Sequence, residues 1–208
     1  MRQWKVVRIV LLIPVWWACG GVGEAGVAPV VSFSAEVTRI QGNPKTTSTG
    51  KMYVSPEGIR TESVRDGVSI ALLHKPEQKK VLTLFPAQKN YMENEVGVTL
   101  SRPPLPDEPD SPCRTNKAFK CRQVGQEKVN GRAVIHWEIV IQGQDREVPH
   151  AHLWIDPRLL IAIRELYPDG LSVELSNIQE GTQASQLFSV PGDYEKIVTA
   201  PVPAKTSR

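Results

Sequence analysis

Long apolar runs are scarce in this chain of 208 residues. The longest covers residues 9–19, about half of the ~20 residues that a membrane-crossing helix needs. A multi-span membrane protein is therefore excluded. Charge of one sign is lacking too: 25 basic residues stand against 22 acidic ones, a net +3 that is too balanced to point to nucleic acid. Aromatics are only 6% of the chain, and there are three cysteines, none in a Cys-x-x-Cys pair. The missing pair argues against thioredoxin-like redox chemistry. Gly-x-Ser-x-Gly, His-Glu-x-x-His and a phosphate-cradling glycine loop followed by Lys-Ser/Thr are all absent. One string, Gly21-Val22-Gly23-Glu24-Ala25-Gly26, spells the dinucleotide fingerprint. That fingerprint needs a strand before it, a helix after it and an acidic residue ~20 positions on. Here Pro29 follows and no Asp or Glu occurs between Glu36 and Glu57, so the match is coincidental.

What the chain does have is 15 glycines and 17 prolines, many for a helical bundle because both interrupt helix interiors. With 40% hydrophobic and 23% charged residues, it reads as one strand-rich domain. The amino terminus stands apart. Arg2, Lys5 and Arg8 precede the apolar run, and small residues follow it, which is the layout of a secretory signal peptide cleaved after Ala25. Its loss leaves the mature chain close to neutral. The domains expected are thus a signal peptide over 1–25, a β domain over 29–198 and a polar tail over 199–208. Lipidation at Cys19 is the alternative route, though Trp17 is a poor small residue for a lipobox. Either route leaves Cys113 and Cys121, and two cysteines in an exported domain suggest one disulfide. A continuous helix between them would hold their Cα atoms ~12 Å apart, beyond the ~7 Å that a bridge tolerates. Either the helix breaks before Cys121 or no bridge forms; the bridge is the expectation.

Period-two alternation marks the strands. It is clean in Leu171, Val173 and Leu175, and again in Ala133, Ile135, Trp137, Ile139 and Ile141. In Val68–Leu73 both faces are apolar, which suggests a strand covered on both sides. Asp66-Gly67, Asn130-Gly131 and Asp169-Gly170 each predict a two-residue type I′ hairpin turn. Strands are expected near 32–41, 46–55, 58–65, 68–75, 80–86, 89–95, 122–129, 132–142, 147–155, 160–167 and 171–178, in one antiparallel meander. Residues 102–112 hold five prolines and predict an extended loop, with Asp110 or Ser111 capping a short helix.

Chemistry-bearing clusters are few. His150 and His152, two apart, would face one side of a strand, with His136 on a neighbouring strand and Glu147 close by. Polar side chains on the wet face of a sheet explain them as well, so no metal site, no cofactor and no catalytic residue is assigned. The apolar strand residues outnumber the helices able to cover them. A curved sheet of that kind leaves an apolar concavity, whose candidate lining is Leu72, Leu82, Leu84, Phe85, Ile135, Trp137, Ile139, Leu153, Ile161 and Ile163. The competing reading is that these residues fill a closed core.

Several local patterns then converge. They are Cys113…Cys121-x-x-Val124-Gly125-x-Glu127-x-Val129-Asn130-Gly131-Arg132, His136-Trp137-Glu138, Leu153-Trp154-Ile155-Asp156-Pro157 and Leu187-Phe188-Ser189-Val190-Pro191-Gly192-Asp193-Tyr194. Over about residues 32–198 the chain resembles the LolA-like superfamily of exported bacterial proteins, which includes lipoprotein carriers, their receptors and the RseB sensor domain. It differs from the carriers in having no clear amphipathic helix after the cleavage site and in its mid-chain cysteine pair. The resemblance implies a mainly β (α+β) fold: an antiparallel unclosed β-barrel or half-barrel of about eleven strands with few short helices. It also implies non-enzymatic binding of lipid acyl chains or a lipidated peptide in an apolar cavity. The functional expectation is a periplasmic binding protein for a hydrophobic ligand, free or anchored through Cys19, with no nucleic-acid partner and no transmembrane span in the mature form. A cell-envelope sensor or protein-interaction domain is the alternative, and a metal-dependent enzyme the third reading.

Overall fold

The computed structural model describes residues 31–42, 44–95, 112–113, 117–143 and 146–198. The signal peptide, Cys19, the helix cap at Asp110 or Ser111 and the 199–208 tail lie outside the described residues.

Eleven substantial strands form where alternation and turn chemistry place them: β1 (Phe33–Gln41), β2 (Thr46–Ser55), β3 (Gly58–Arg65), β4 (Val68–Lys75), β5 (Lys80–Phe85), β6 (Asn90–Glu95), β7 (Phe119–Val129), β8 (Arg132–Gln142), β9 (Glu147–Asp156), β10 (Ile161–Leu166) and β11 (Ser172–Glu180). A two-residue β12 (Glu195–Lys196) lies parallel to β6. Among the described residues the helical content is a single 3-10 turn, Ser185–Phe188. All strands join one unclosed sheet, in the order β12-β6-β5-β4-β3-β2-β1-β11-β10-β9-β8-β7.

That order corrects the single meander. The chain makes two antiparallel meanders, β1–β6 and β7–β11, and the first strand of one pairs with the last strand of the other. β6 and β7, neighbours in sequence, therefore stand toward opposite ends of the sheet. The physical reason is that Phe33, Ala35 and Leu175 are fully or nearly fully buried in one cluster, and only the β1–β11 pairing brings them together.

The turns obey their residues with one exception. Asp66-Gly67 and Asn130-Gly131 take positive φ at both positions (50° and 77°, 50° and 78°), as a type I′ turn demands. At Asp169-Gly170 only Gly170 does, at 82°. Pro168, with φ fixed near −65°, instead opens a turn in which the Gly170 N–H donates to the Tyr167 carbonyl at 3.0 Å. The hairpin survives with a longer loop.

Register sorts every strand residue onto one of two faces, because paired residues share a face and neighbours alternate. Trp137 pairs with Leu153, Leu153 with Glu165, Glu165 with Val173 and Val173 with Arg39. Beyond β1 the same face continues through Val37 and Gly50 to Ser63, and along β3 to Thr61, Leu72, Thr83 and Met92. This is the apolar face. The other, the mixed face, carries Glu127, His136, His152, Trp154, Arg164 and Glu174 at one end, and Ala71, Leu73, Leu82 and Leu84 at the other.

Three buried clusters hold the sheet. Phe33, Ala35, Met52, Val54 and Leu175 gather with Ile163 near the β1–β11 junction. Ile135, Trp137, Ile139, Ala151, Leu153 and Ile155 pack on the apolar face of β8 and β9. On the mixed face, Phe188 is 0% exposed against Ala71, Leu73, Leu82 and Leu84, with Leu187, Val190 and Tyr194 beside it. Each of the larger aliphatic and aromatic side chains among them contributes about 1.5–3 kcal/mol by burial. The segment after β11 is thus a strap across β3–β6. It is tied down by a hydrogen bond from Arg60 to the Leu187 carbonyl and by ion pairs of Lys89 with Asp193 and of Lys196 with Glu93. The reading of β4 as covered on both sides is corrected accordingly. Ala71 and Leu73 are covered by the strap, while Leu72 on the other face is 39% exposed.

Cys113 and Cys121 form the expected disulfide, with Cα atoms 5.7 Å apart. Cys121 lies on β7, so no helix continues into it.

Candidate functional site

The ten candidate lining residues divide by face. Ile135, Trp137, Ile139, Leu153, Leu72 and Phe85 share the apolar face. Ile163 sits at the bulge in β10 and is buried with Phe33 and Leu175. Leu82, Leu84 and Ile161 belong to the mixed face: Leu82 pairs with Leu73, Leu84 with Ala71, and Ile161 with Asp156. Leu82 and Leu84 face Phe188 rather than Leu72 and Phe85. The six residues on the apolar face form two groups. On β8 and β9 they are closely packed, and Trp137 is buried with no hydrogen-bond acceptor for its indole N–H. On β4 and β5, Leu72 and Phe85 retain access to solvent, alongside Ile59, Ile70, Val81 and Met92, each half-buried.

Shallow pockets among the described residues include two on the polar parts of the sheet. One, of about 370 Å³, is lined by Asn130, Arg132, Ser176 and Asn177. The other, of about 500 Å³, lies beside Lys51, Arg60, Ser69 and Tyr194. Neither includes any of the ten.

The histidines are placed differently from the sequence expectation. His150 and His152 do not face one side. Ile139 pairs with Ala151 but Val140 with Pro149, so His150 is an extra residue in β9 and swings to the apolar face. There its ring meets Phe119 at 4.8 Å and Tyr167 at 6.1 Å. Burial lowers the pKa of its imidazole from the ordinary 6.5, as it does for His74. Pro149 is the signal in the sequence that points to this bulge, since a proline cannot donate to the ladder inside a strand. Glu147 is engaged elsewhere: Lys120 donates to it at 2.9 Å and Arg122 also pairs with it, which lowers its pKa.

On the mixed face a polar row remains. His136 Nδ1 lies 2.8 Å from Glu127 Oε1, and His136 Nε2 lies 3.0 Å from His152 Nδ1. The Trp154 indole N–H donates to Glu127 Oε2 at 3.0 Å, and its ring stacks on His136 with centroids 4.2 Å apart. The Arg164 guanidinium lies 5.6 Å from the centre of the Trp154 ring and pairs with Glu174 at 2.8 Å. These bonds, first the one from Trp154 and then that of His136, hold the Glu127 carboxyl below its usual pKa. Among the described residues no hydroxyl or thiol hydrogen-bonds to either imidazole, and no group of three His, Cys, Asp or Glu gathers as metal ligands. The row can orient imidazoles and share a proton; it has no nucleophile to activate.

No protein-family model and no curated protein matches the sequence. Solved structures do match in fold. An uncharacterized conserved protein of Thermus thermophilus superposes with a TM-score of 0.51 at 14% identity, over 80% of this chain and 90% of that one. The Pseudomonas aeruginosa MucA/MucB complex gives 0.49 at 14% identity, over 81% of this chain and 59% of that one. The LolA superfamily protein NE2245 of Nitrosomonas europaea gives 0.40 at 10% identity, over 77% and 91%. The likeness to the Thermus thermophilus protein is one of fold.

Proposed function

We propose that the chain is an exported, non-enzymatic binding protein that takes lipid acyl chains, or the acylated end of a lipidated peptide, against the open part of its apolar face. One observation carries this reading. The register places Leu72, Val81, Phe85 and Met92 on one face of β3–β6, none of them fully buried, while the strap packs on the opposite face. Apolar area left open in this way is the kind of surface that binds hydrophobic ligands. Export to the periplasm is part of the same proposal. It is supported by the basic start, the run 9–19 and the Cys113–Cys121 bridge, which suits an oxidising compartment.

Native mass spectrometry with lipid extraction, on protein purified from the periplasm, tests the proposal. A reproducible acyl-lipid adduct that disappears in Leu72→Asp supports it. Ligand-free protein that also ignores added fatty acid would sink it. A second reading, a protein-interaction domain, is favoured by the edge of β7, which among the described residues pairs with β8 alone. Its bulge at Gln123/Gly125 and the charges of Lys120, Arg122 and Lys128 blunt that edge. Co-purification of an envelope protein without lipid would favour this second reading.

A further inference from the structure

The imidazole row on the mixed face is not used by the proposed ligand site. We infer that His136 and His152 form a two-histidine site for a divalent copper ion. The ligand atoms are His136 Nε2 and His152 Nδ1, 3.0 Å apart. The two nitrogens, now hydrogen-bonded to each other, are close enough for a tilt of the His152 ring to bring both to ~2.0–2.1 Å from one ion, as adjacent ligands of a tetragonal complex. Copper(II) prefers that geometry and binds nitrogen ligands more tightly than the other first-row divalent ions.

The surroundings fit an imidazole held ready as a ligand. Glu127 Oε1 sits 2.8 Å from His136 Nδ1, so in the neutral ring that nitrogen carries the proton and Nε2 presents its lone pair. The carboxylate is itself held by the Trp154 indole N–H, and the stacked Trp154 ring fixes the plane of His136. A carboxylate behind a ligand histidine raises its basicity, and its negative charge offsets that of the ion. His152 is half-buried, so one side of its ring is open to water. As the ion enters, the proton on His152 Nδ1 is released and His152 Nε2 takes one up, so both facing nitrogens offer lone pairs. The ring tilts to aim its own at the ion, and no electron is transferred. Among the described residues no third His, Cys, Asp or Glu joins the pair, so water fills the remaining positions.

Titration of the purified protein with copper(II) near neutral pH, read by calorimetry and electron paramagnetic resonance, tests the site. One saturable equivalent is expected, with hyperfine coupling to two imidazole nitrogens. His152→Gln should weaken binding at least about tenfold, and Glu127→Gln by about 10–100-fold. His150→Gln, on the opposite face, should stay within about twofold. If His136→Gln disturbs the Trp154 stack and the fold, His152→Gln carries the test alone. Absence of saturable binding, or binding that survives His152→Gln or is lost in His150→Gln, overturns the assignment.

Discussion

The two ends of the sheet are covered differently: the β7–β10 end buries residues on both faces, Val134 and Trp154 on the mixed one, whereas β4 and β5 fully bury residues on the mixed face alone. On β8 and β9, Ile135, Trp137, Ile139 and Leu153 close the apolar face, and the other face carries the Glu127–His136–His152 row. On β4 and β5, Ala71, Leu73, Leu82 and Leu84 close the mixed face under Phe188, and Leu72 and Phe85 are left accessible. Alternation along a strand sets which residues travel together, but not which face is covered. Here a strap far away in sequence decides that for β3–β6, and so decides where apolar surface stays open.

The largest expected effect breaks the comparison at the strap. Phe188→Ala removes a fully buried ring from the β3–β6 end and should lower unfolding stability by about 3–5 kcal/mol in denaturant melts. Leu72→Ala, on the other face of the same strands, should cost about 1 kcal/mol or less, because a partly exposed side chain leaves little cavity. Equal costs would mean that both faces of β4 are covered. Next in size is the β7–β8 end. Replacing Cys113 and Cys121 by Ser should cost about 2–3 kcal/mol, the loop-closure value for so short a loop, read as a lower thermal midpoint that no longer responds to reductant.

Smaller effects come from pH. His74 and His150 both lie on the apolar face with pKa values lowered by burial. In the unfolded chain they take up protons first, near the ordinary 6.5, so the stability from keeping them neutral is complete above that pH. It is lost as pH falls below 6.5 toward the lowered folded values. A modest drop in thermal midpoint between neutral and mildly acidic pH is expected, flattened in His74→Gln/His150→Gln. At the strap, Lys196 and Lys80 lower the Glu93 pKa from 4.5 to about 2. Its contribution holds above pH 4.5 and fades as pH falls toward 2, well separated from the histidine step.

Much of this was legible in the sequence. Alternation through Ala133–Ile141 and the Asn130-Gly131 turn give β7–β8 in register, and Trp137 and Leu153 fall on one face as the pattern requires. The cysteine pair and the antiparallel hairpins also follow, while the unclosed sheet is what the resemblance to LolA-like proteins implied. The strand order does not, because the β1–β11 pairing is a contact between distant segments that no local pattern encodes. The division of Leu72 and Phe85 from Leu82 and Leu84 was equally hidden. Both faces of β4 are apolar, and only the position of Phe188 shows which one is closed. The histidines misled for a local reason: the bulge at His150 breaks the period-two rule that aligned it with His152.

The central claim is that the open apolar face of β3–β6, and not the sheet at large, takes the ligand. It is tested most directly by fluorescence titration with a long-chain fatty acid, comparing Leu72→Asp with Val64→Asp. Val64 is 54% exposed and, pairing with Ser69, lies on the mixed face, so it is a matched control for an added charge. The account predicts at least about a tenfold loss of affinity for Leu72→Asp and a change within about twofold for Val64→Asp, at 1.4 kcal/mol per tenfold. Equal losses in the two variants, or an undiminished affinity in Leu72→Asp, would contradict it.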